Sequence, residues 1–203
     1  MDSSDALHYN AGTVVSRNAN ELEQERFRSE IMTHLDHLYR VAFYLVKNET
    51  EAQDCVQETC VRALSAQGQF TPGSNLKAWL TKILYNFFYD FYARNKRTVA
   101  AEDLVESAGQ KRDFFDAVAA PNPGPETQLL AQELGVKING ALREIPDEFR
   151  APIVLVDMGD FTYAEAAEVL SCPIGTMRSR LSRGRRLLQK ILSGYVLKAG
   201  PGS

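Results

Sequence analysis

No carboxylate follows Glu168 in this chain, although Asp and Glu outnumber Lys and Arg overall, 26 to 23. Cysteine is scarce: Cys55, Cys60 and Cys172 are the whole complement, and they form no Cys-x-x-Cys. That count excludes a disulfide scaffold and suits a reducing cytoplasm, where buried, inert thiols are the expectation. His34 and His37 lie three apart on a predicted helix, but no cysteine or acidic pair nearby completes a ligand set, so no metal is expected. There is no P-loop, no Gly-x-Ser-x-Gly and no His-Glu-x-x-His, so neither catalytic residues nor a cofactor is expected. No apolar run is long enough to span a bilayer, and the opening MDSSDALHYN lacks the basic segment and apolar core of a signal peptide. The expected protein is cytoplasmic, with no direct membrane insertion.

What is present is an uneven distribution of charge. The stretch CPIGTMRSRLSRGRRLLQKIL (172–192) holds Arg178, Arg180, Arg183, Arg185, Arg186 and Lys190 with no acid. A second basic zone, 61–97, holds Arg62, Lys77, Lys82, Arg94, Lys96 and Arg97 against Asp90 alone. The rest of the chain is acidic, and the net charge is −3. Two basic zones separated by acidic chain predict two contacts with a polyanion.

At 203 residues the chain can bury a core without staples. Residues 1–20 are polar and aperiodic and read as a mobile tail. Helical periodicity holds over 21–97 and lapses over 98–128, where Pro121, Pro123, Gly124 and Pro125 mark a linker. It returns over 129–197, and 198–203 reads as a loose tail. The predicted fold class is all-α, with two small helical domains joined by a flexible linker, the C-terminal one a helix-turn-helix.

The C-terminal pattern supports that motif. Thr162 and Glu165 have capping-box spacing, with Ala164, Ala167 and Leu170 as an apolar stripe behind them. Pro173 suits the first turn of the next helix, which places Met177, Leu181, Leu188 and Ile191 on one face. Ser179, Ser182, Arg183 and Arg186 fall opposite, flanked by Arg178, Arg185 and Arg180. A helix with an apolar back and a basic front fits the DNA major groove. A membrane surface or an acidic protein is the alternative for any basic amphipathic helix.

The N-terminal pattern differs. In NLKAWLTKILYNFFYDFYARNKR (75–97), Leu76, Leu80, Ile83, Leu84, Phe87 and Phe91 form an apolar stripe. Trp79, Tyr85, Phe88, Tyr89 and Tyr92 add rings interleaved with basic groups, a composition that suits unpaired bases as well as a core. The loop GQFTPGSN before it has room for a flipped base. In TEAQDCVQETCVRALS (50–65), Thr50 and Gln53 predict a capping box. Ala52, Val56, Thr59 and Ala63 point inward. Asp54, Glu58, Val61, Arg62 and Ser65 point outward, as plain surface or as a docking face.

These residues carry a resemblance to the extracytoplasmic-function (ECF) class of bacterial sigma factors, over roughly 30–97 and 142–192. EAQDCVQETCVRAL is similar to the family's core-polymerase-binding helix. The segment with Trp79, Leu80, Ile83, Asn86, Asp90 and Arg94 is similar to its promoter-melting region, and that with Pro146, Thr162, Ala167, Gly175, Thr176, Ser179, Arg180 and Leu181 to its helix-turn-helix region. The resemblance implies a region 2 domain over 21–97 and a region 4 domain over 129–197. It implies RNA polymerase core as a partner, through the beta-prime clamp helices, with contacts at Asp54, Gln57, Glu58 and Arg62. It implies promoter DNA as a second partner. Ser74, Asn75, Lys77, Asn86, Tyr89, Asp90 and Arg94 would hold the opened minus-ten strand. Thr176, Arg178, Ser179, Arg180, Ser182, Arg183, Arg185 and Arg186 would contact the minus-thirty-five duplex. An anti-sigma factor is the third implied partner. The rival reading, a stand-alone dimeric helix-turn-helix repressor, leaves the aromatic helix unexplained. An enzyme has no residues to stand on, and a pure protein-interaction module is the third reading, one that a lack of DNA cross-linking to Tyr89 or Arg183 would support.

Overall fold

The computed structural model describes residues 11–46, 48–93 and 125–198, and among them every regular element is helical. The first half holds α1 (Ala11–Met32), α2 (Leu35–Val46), α3 (Glu49–Ser65) and α4 (Leu76–Phe88), the last running into a π-helical turn at Tyr89–Ala93. The second half holds α5 (Pro125–Glu144), α6 (Asp147–Ile153), which widens into a π-helical turn at Val154–Met158, α7 (Tyr163–Val169) and α8 (Ile174–Lys198).

The expected tail is helical from Ala11 onward, a correction. The 11–32 segment contains no proline, and its far end is anchored by buried Phe27 and Ile31. A helix nucleated there extends outward at little further cost. The linker also ends earlier than expected, because Pro125 opens α5 at the first helical position, where its missing N–H costs nothing. A third correction concerns α3. Its N-cap is Asn48, in extended backbone, whose Oδ1 accepts from the Glu51 N–H at 3.2 Å. Thr50 already lies inside the first turn.

In α4 the buried row is Leu76, Leu80, Leu84 and Phe88, a run of i+4 steps that α2 and α3 cover. Phe91, expected on the apolar stripe, is 51% exposed, and Phe87 is half-buried. The π-helical turn that begins at Tyr89 leaves Phe91 stacked on Phe87, with centroids 5.6 Å apart, outside the core.

Pro152 shapes the second half. It lies inside α6, cannot donate a backbone hydrogen bond and crowds the preceding turn, and the helix relaxes into π geometry directly after it. α8 crosses α6 at Gly184, where a Cβ would come within 2.6 Å of the Phe149 carbonyl oxygen. Glycine is the residue that permits this approach.

The predicted capping box at α7 is present: Thr162 Oγ1 accepts from the Glu165 N–H, and the Glu165 carboxylate accepts from the Thr162 N–H. The stripe behind it needs correction, since Ala164 is exposed and Ala166, Ala167, Val169 and Leu170 are buried. Ser171, at φ 48°, turns the chain through the left-handed region. Pro173 stands one residue before α8, and its carbonyl accepts from the Met177 N–H. Met177 and Leu181 anchor the inner face of α8.

The halves touch. α2 and α4 lie against the π-helical turn after α6 and against α7, and the buried side chains of both halves form one continuous cluster. Among the described residues no helix is long and apolar enough to cross a membrane.

Candidate nucleic-acid interface

The outer face of α8 presents Arg178, Ser179, Ser182, Arg183 and Arg186 to solvent. Arg178, Ser182 and Arg186, with Leu181, Arg185, Tyr163 and Gln189, line a shallow open groove. The sequence reading did not single out Tyr163 or Gln189, because neither is charged and Tyr163 sits on the other helix. Arg178 lies over the Tyr163 ring, 5.8 Å from its centroid. Thr176 and Arg180 are half-buried. The Thr176 carbonyl accepts from Ser179 Oγ at 2.9 Å.

Arg185 is exposed but engaged. Its guanidinium forms a two-pronged pair with Asp157, Nε to Oδ2 at 3.0 Å and Nη2 to Oδ1. Those hydrogen bonds push its pKa above the ordinary arginine value. Arg185 thus ties α8 to the π-helical turn. Aligned groups of this kind are the stronger class of surface pair.

In the loop before α4, Gly73 takes φ 83°, and Ser74 Oγ donates to the Thr71 carbonyl at 2.7 Å. Asn75 uses both ends of its amide: Oδ1 accepts from the Ala78 N–H at 3.1 Å, and Nδ2 donates to Glu165 Oε1 at 2.6 Å. Lys77 Nζ donates to the Gly159 carbonyl at 2.6 Å and lies 4.8 Å from the centroid of the Phe161 ring. Two expected strand-binding side chains therefore point into the seam between the halves. Asn86, Tyr89 and Asp90 are exposed on α4 and its continuation. Arg94, with Lys96 and Arg97, lies outside the described residues. Tyr85 is half-buried, and burial pushes its hydroxyl up to about 12, against the opposing influence of the Arg180 charge.

On α3, Asp54, Gln57 and Arg62 are exposed and Glu58 is half-buried, along one outward face. Glu58 Oε1 accepts from Arg62 Nε at 2.7 Å, and the Arg62 guanidinium covers the Phe87 ring at 4.8 Å. Val61 and Leu64 stand beside them, 59% and 37% exposed. An apolar pair rimmed by charge is the surface a protein partner uses.

Two buried residues of the seam were not anticipated. The Arg150 side chain is fully buried and donates to the carbonyls of Leu45 (2.7 Å) and Ile145 (3.2 Å) and to Asp147 Oδ1. His37 is buried, its Nε2 3.2 Å from Thr81 Oγ1 and its ring 5.4 Å from that of Phe161. Cys55 is buried, and Cys60 and Cys172 are half-buried; burial pushes the Cys60 thiol up. Among the described residues no group of three or more His, Cys, Asp or Glu side chains is placed to hold a metal ion.

Comparison with known proteins matches two family models, Sigma-70 region 2 over residues 31–98 and Sigma-70, region 4 over residues 131–188. The ECF RNA polymerase sigma factor SigE of Mycolicibacterium smegmatis is 35% identical over 165 residues, 81% of this chain and 61% of that protein, so the match spans less than two thirds of that relative's length. The ECF RNA polymerase sigma factor EcfG of Rhodopseudomonas palustris is 34% identical over 168 residues, 83% of this chain and 86% of that protein. The solved complex of the sigma factor RpoE with the anti-sigma factor NepR from Bartonella quintana aligns with TM-score 0.66 and 32% identity, covering 83% of this chain and 98% of that one.

Proposed function

The chain belongs to the ECF class of RNA polymerase sigma factors, and from that premise we propose that it docks on polymerase core through α3 and reads a promoter in two forms. α8 enters the duplex major groove at the minus-thirty-five element. The α4 segment and its loop hold the opened minus-ten strand. The observation that carries this reading is the α8 surface: arginines and serines exposed along one face, no acid anywhere in the helix, and an apolar back fixed by Met177 and Leu181. Arg side chains recognise guanine edges and phosphates, and a rigid helix holds them in register.

On this reading Arg178, Ser182 and Arg183 meet bases or phosphates, Ser179 and Arg186 the backbone, and Thr176 and Arg180 the groove edge. Arg185 acts through Asp157 by positioning the helix. Tyr89, a residue 48% exposed, stacks on an unpaired base, and Asn86, Asp90, Arg94 and Ser74 border the strand. Asp54, Gln57, Glu58 and Arg62, around Val61 and Leu64, form the core contact. The domains so defined are region 2 up to residue 97 and region 4 from the start of α5. An anti-sigma factor is the regulatory partner proposed, by analogy with the RpoE complex.

The test is abortive initiation with purified core polymerase on a pool of promoter fragments. Wild-type protein is expected to confer initiation. Reversing Asp54 and Glu58 to Lys is expected to lower it at least about tenfold, since like charges placed across an interface cost several kcal/mol. Initiation that is absent with wild-type protein, with no core binding, would overturn the assignment. Initiation indifferent to the reversal would move the core contact elsewhere.

A further inference from the structure

Two rings of α4 and its continuation belong neither to the buried row nor to the strand-binding set. Phe87 is half-buried and Phe91 is exposed, and they stack with centroids 5.6 Å apart and planes 17° from parallel. The π-helical turn takes Phe91 off the core stripe and delivers it to Phe87. Phe87 also meets α3. The Arg62 guanidinium lies 4.8 Å from its ring centroid, within cation–π range, while Arg62 Nε donates to Glu58 Oε1 at 2.7 Å. An arginine with its side chain 47% exposed ordinarily samples many rotamers. Here Glu58 fixes the Nε end and the Phe87 ring sets the plane of the head. The donors on the terminal nitrogens are left for a partner.

Resting on the core-docking reading above, we propose that Phe87 is a positioning residue of the polymerase contact: its ring holds the Arg62 guanidinium in the plane in which core meets it, and Phe91 steadies that ring by stacking on it. The rotamer freedom of Arg62 is then lost before docking rather than during it, which removes a cost that binding otherwise carries. The docking face is composite on this account, with α3 supplying the polar heads and α4 the ring beneath one of them. Unpaired bases are the other class of occupant for stacked rings. The protein partner is favoured because the Phe87 ring is already engaged by a side chain of the α3 face, next in sequence to exposed Val61. Tyr89, the ring assigned to the strand, pairs with Tyr85 instead.

A double-mutant cycle tests positioning directly. Phe87→Leu keeps an apolar side chain and removes the ring face, and Phe87→Tyr keeps the face. Neither changes the charge. Each is made in the wild-type and in the Arg62→Ala background, as the full-length chain labelled with fluorescein at its N-terminal amine. Anisotropy during titration with purified core polymerase reads the affinity, and circular dichroism checks that each variant folds. A residue that acts through Arg62 has nothing to act on once Arg62 is gone, whereas an independent contact or a general loosening of the fold costs the same in both backgrounds.

Phe87→Leu is expected to weaken core binding about fivefold in the wild-type background, and Phe87→Tyr to stay within about twofold of wild type. Neither is expected to weaken it further in the Arg62→Ala background. Equal losses in the two backgrounds, or no loss in the first, would overturn the proposal. So would unchanged core affinity with weaker binding of an opened minus-ten strand by the assembled polymerase, which would assign the rings to DNA. Should Phe87→Leu fail to fold, proton NMR of the free wild type still decides. The Arg62 side-chain protons are expected upfield of ordinary arginine values because they lie over a ring, and ordinary values would overturn the proposal. Wild-type titration keeps the two readings apart. If the wild type binds core and the losses are equal, positioning alone fails; if the wild type does not bind core, the docking reading fails with it.

Discussion

Arg150→Ala is expected to lower the unfolding free energy by about 3–5 kcal/mol, the range expected when buried acceptors lose their donor and a large buried side chain leaves a void. Three terms add. The Leu45 and Ile145 carbonyls lose their shared donor, and a buried acceptor without a partner costs about 1–3 kcal/mol. A fully buried side chain leaves a void against α2 and α6. Asp147 keeps its charge and loses its partner; with its side chain 37% exposed, it contributes least. Burial lowers the Arg150 pKa, and Asp147 acts in the opposite direction to keep the proton on. Lysine should rescue poorly, because one ammonium cannot span carbonyls at the end of α2 and in the α5–α6 connection as a planar guanidinium does. Urea denaturation of the wild type, Arg150→Ala and Arg150→Lys measures the order. A loss under about 1 kcal/mol for the alanine variant would mean that the Leu45 link carries no weight.

Acid is expected to destabilise the fold well above the usual carboxylate range, and His37 is the reason. Its pKa is lowered from 6.5 to about 3, first by burial and then by the charges of Lys77, Arg40 and His34. The unfolded chain takes up a proton as pH falls through 6.5, while the folded chain refuses it until about 3. Stability from this residue is therefore complete above the unfolded value and drains away as pH falls through that window. By linkage the loss reaches about 3 kcal/mol between pH 7 and pH 4.5. Glu165, held below the ordinary value by its hydrogen bonds with Thr162, adds a loss of the same sign at lower pH. Melting temperatures of wild type and His37→Gln across that range check the assignment. The glutamine variant can still meet Thr81 Oγ1 and should show a flatter profile. Parallel profiles would exclude His37 as the source.

Local features were readable in the sequence because local spacing determines them. The Thr162–Glu165 box and the Met177–Leu181 anchor of α8 follow from three- and four-residue intervals. The outward face of α3 follows in the same way. What spacing cannot report is which remote group meets which. The links Arg150 to Leu45, Lys77 to Gly159 and Asn75 to Glu165 span 105, 82 and 90 residues. Nothing near Arg150 distinguishes it from a surface cation, and nothing near Lys77 foretells that its charge turns inward. Periodicity also fails where the helix changes pitch. The π-helical turns after Phe88 and Ile153 shift the phase, so Phe91 faces outward where a uniform helix predicts an apolar stripe. The N-cap at Asn48 was missed because two polar residues near a helix start compete, and the backbone angle decides between them.

The Asp157–Arg185 pair changes how the recognition helix counts ions. Each arginine that neutralises a phosphate frees the cation condensed there, and the salt dependence of binding tallies those releases at a slope of about −0.9 per phosphate. Arg185 meets its anion inside the protein, so it has no part in that tally unless DNA first displaces Asp157. Arg178, Arg183 and Arg186 are the other arginines exposed on α8, and together they account for a log–log slope contribution of about −3 if each neutralises one phosphate. A helix that looks densely cationic thus grips random DNA more loosely than its composition suggests. Discrimination among sequences then falls to the fit at the base edges.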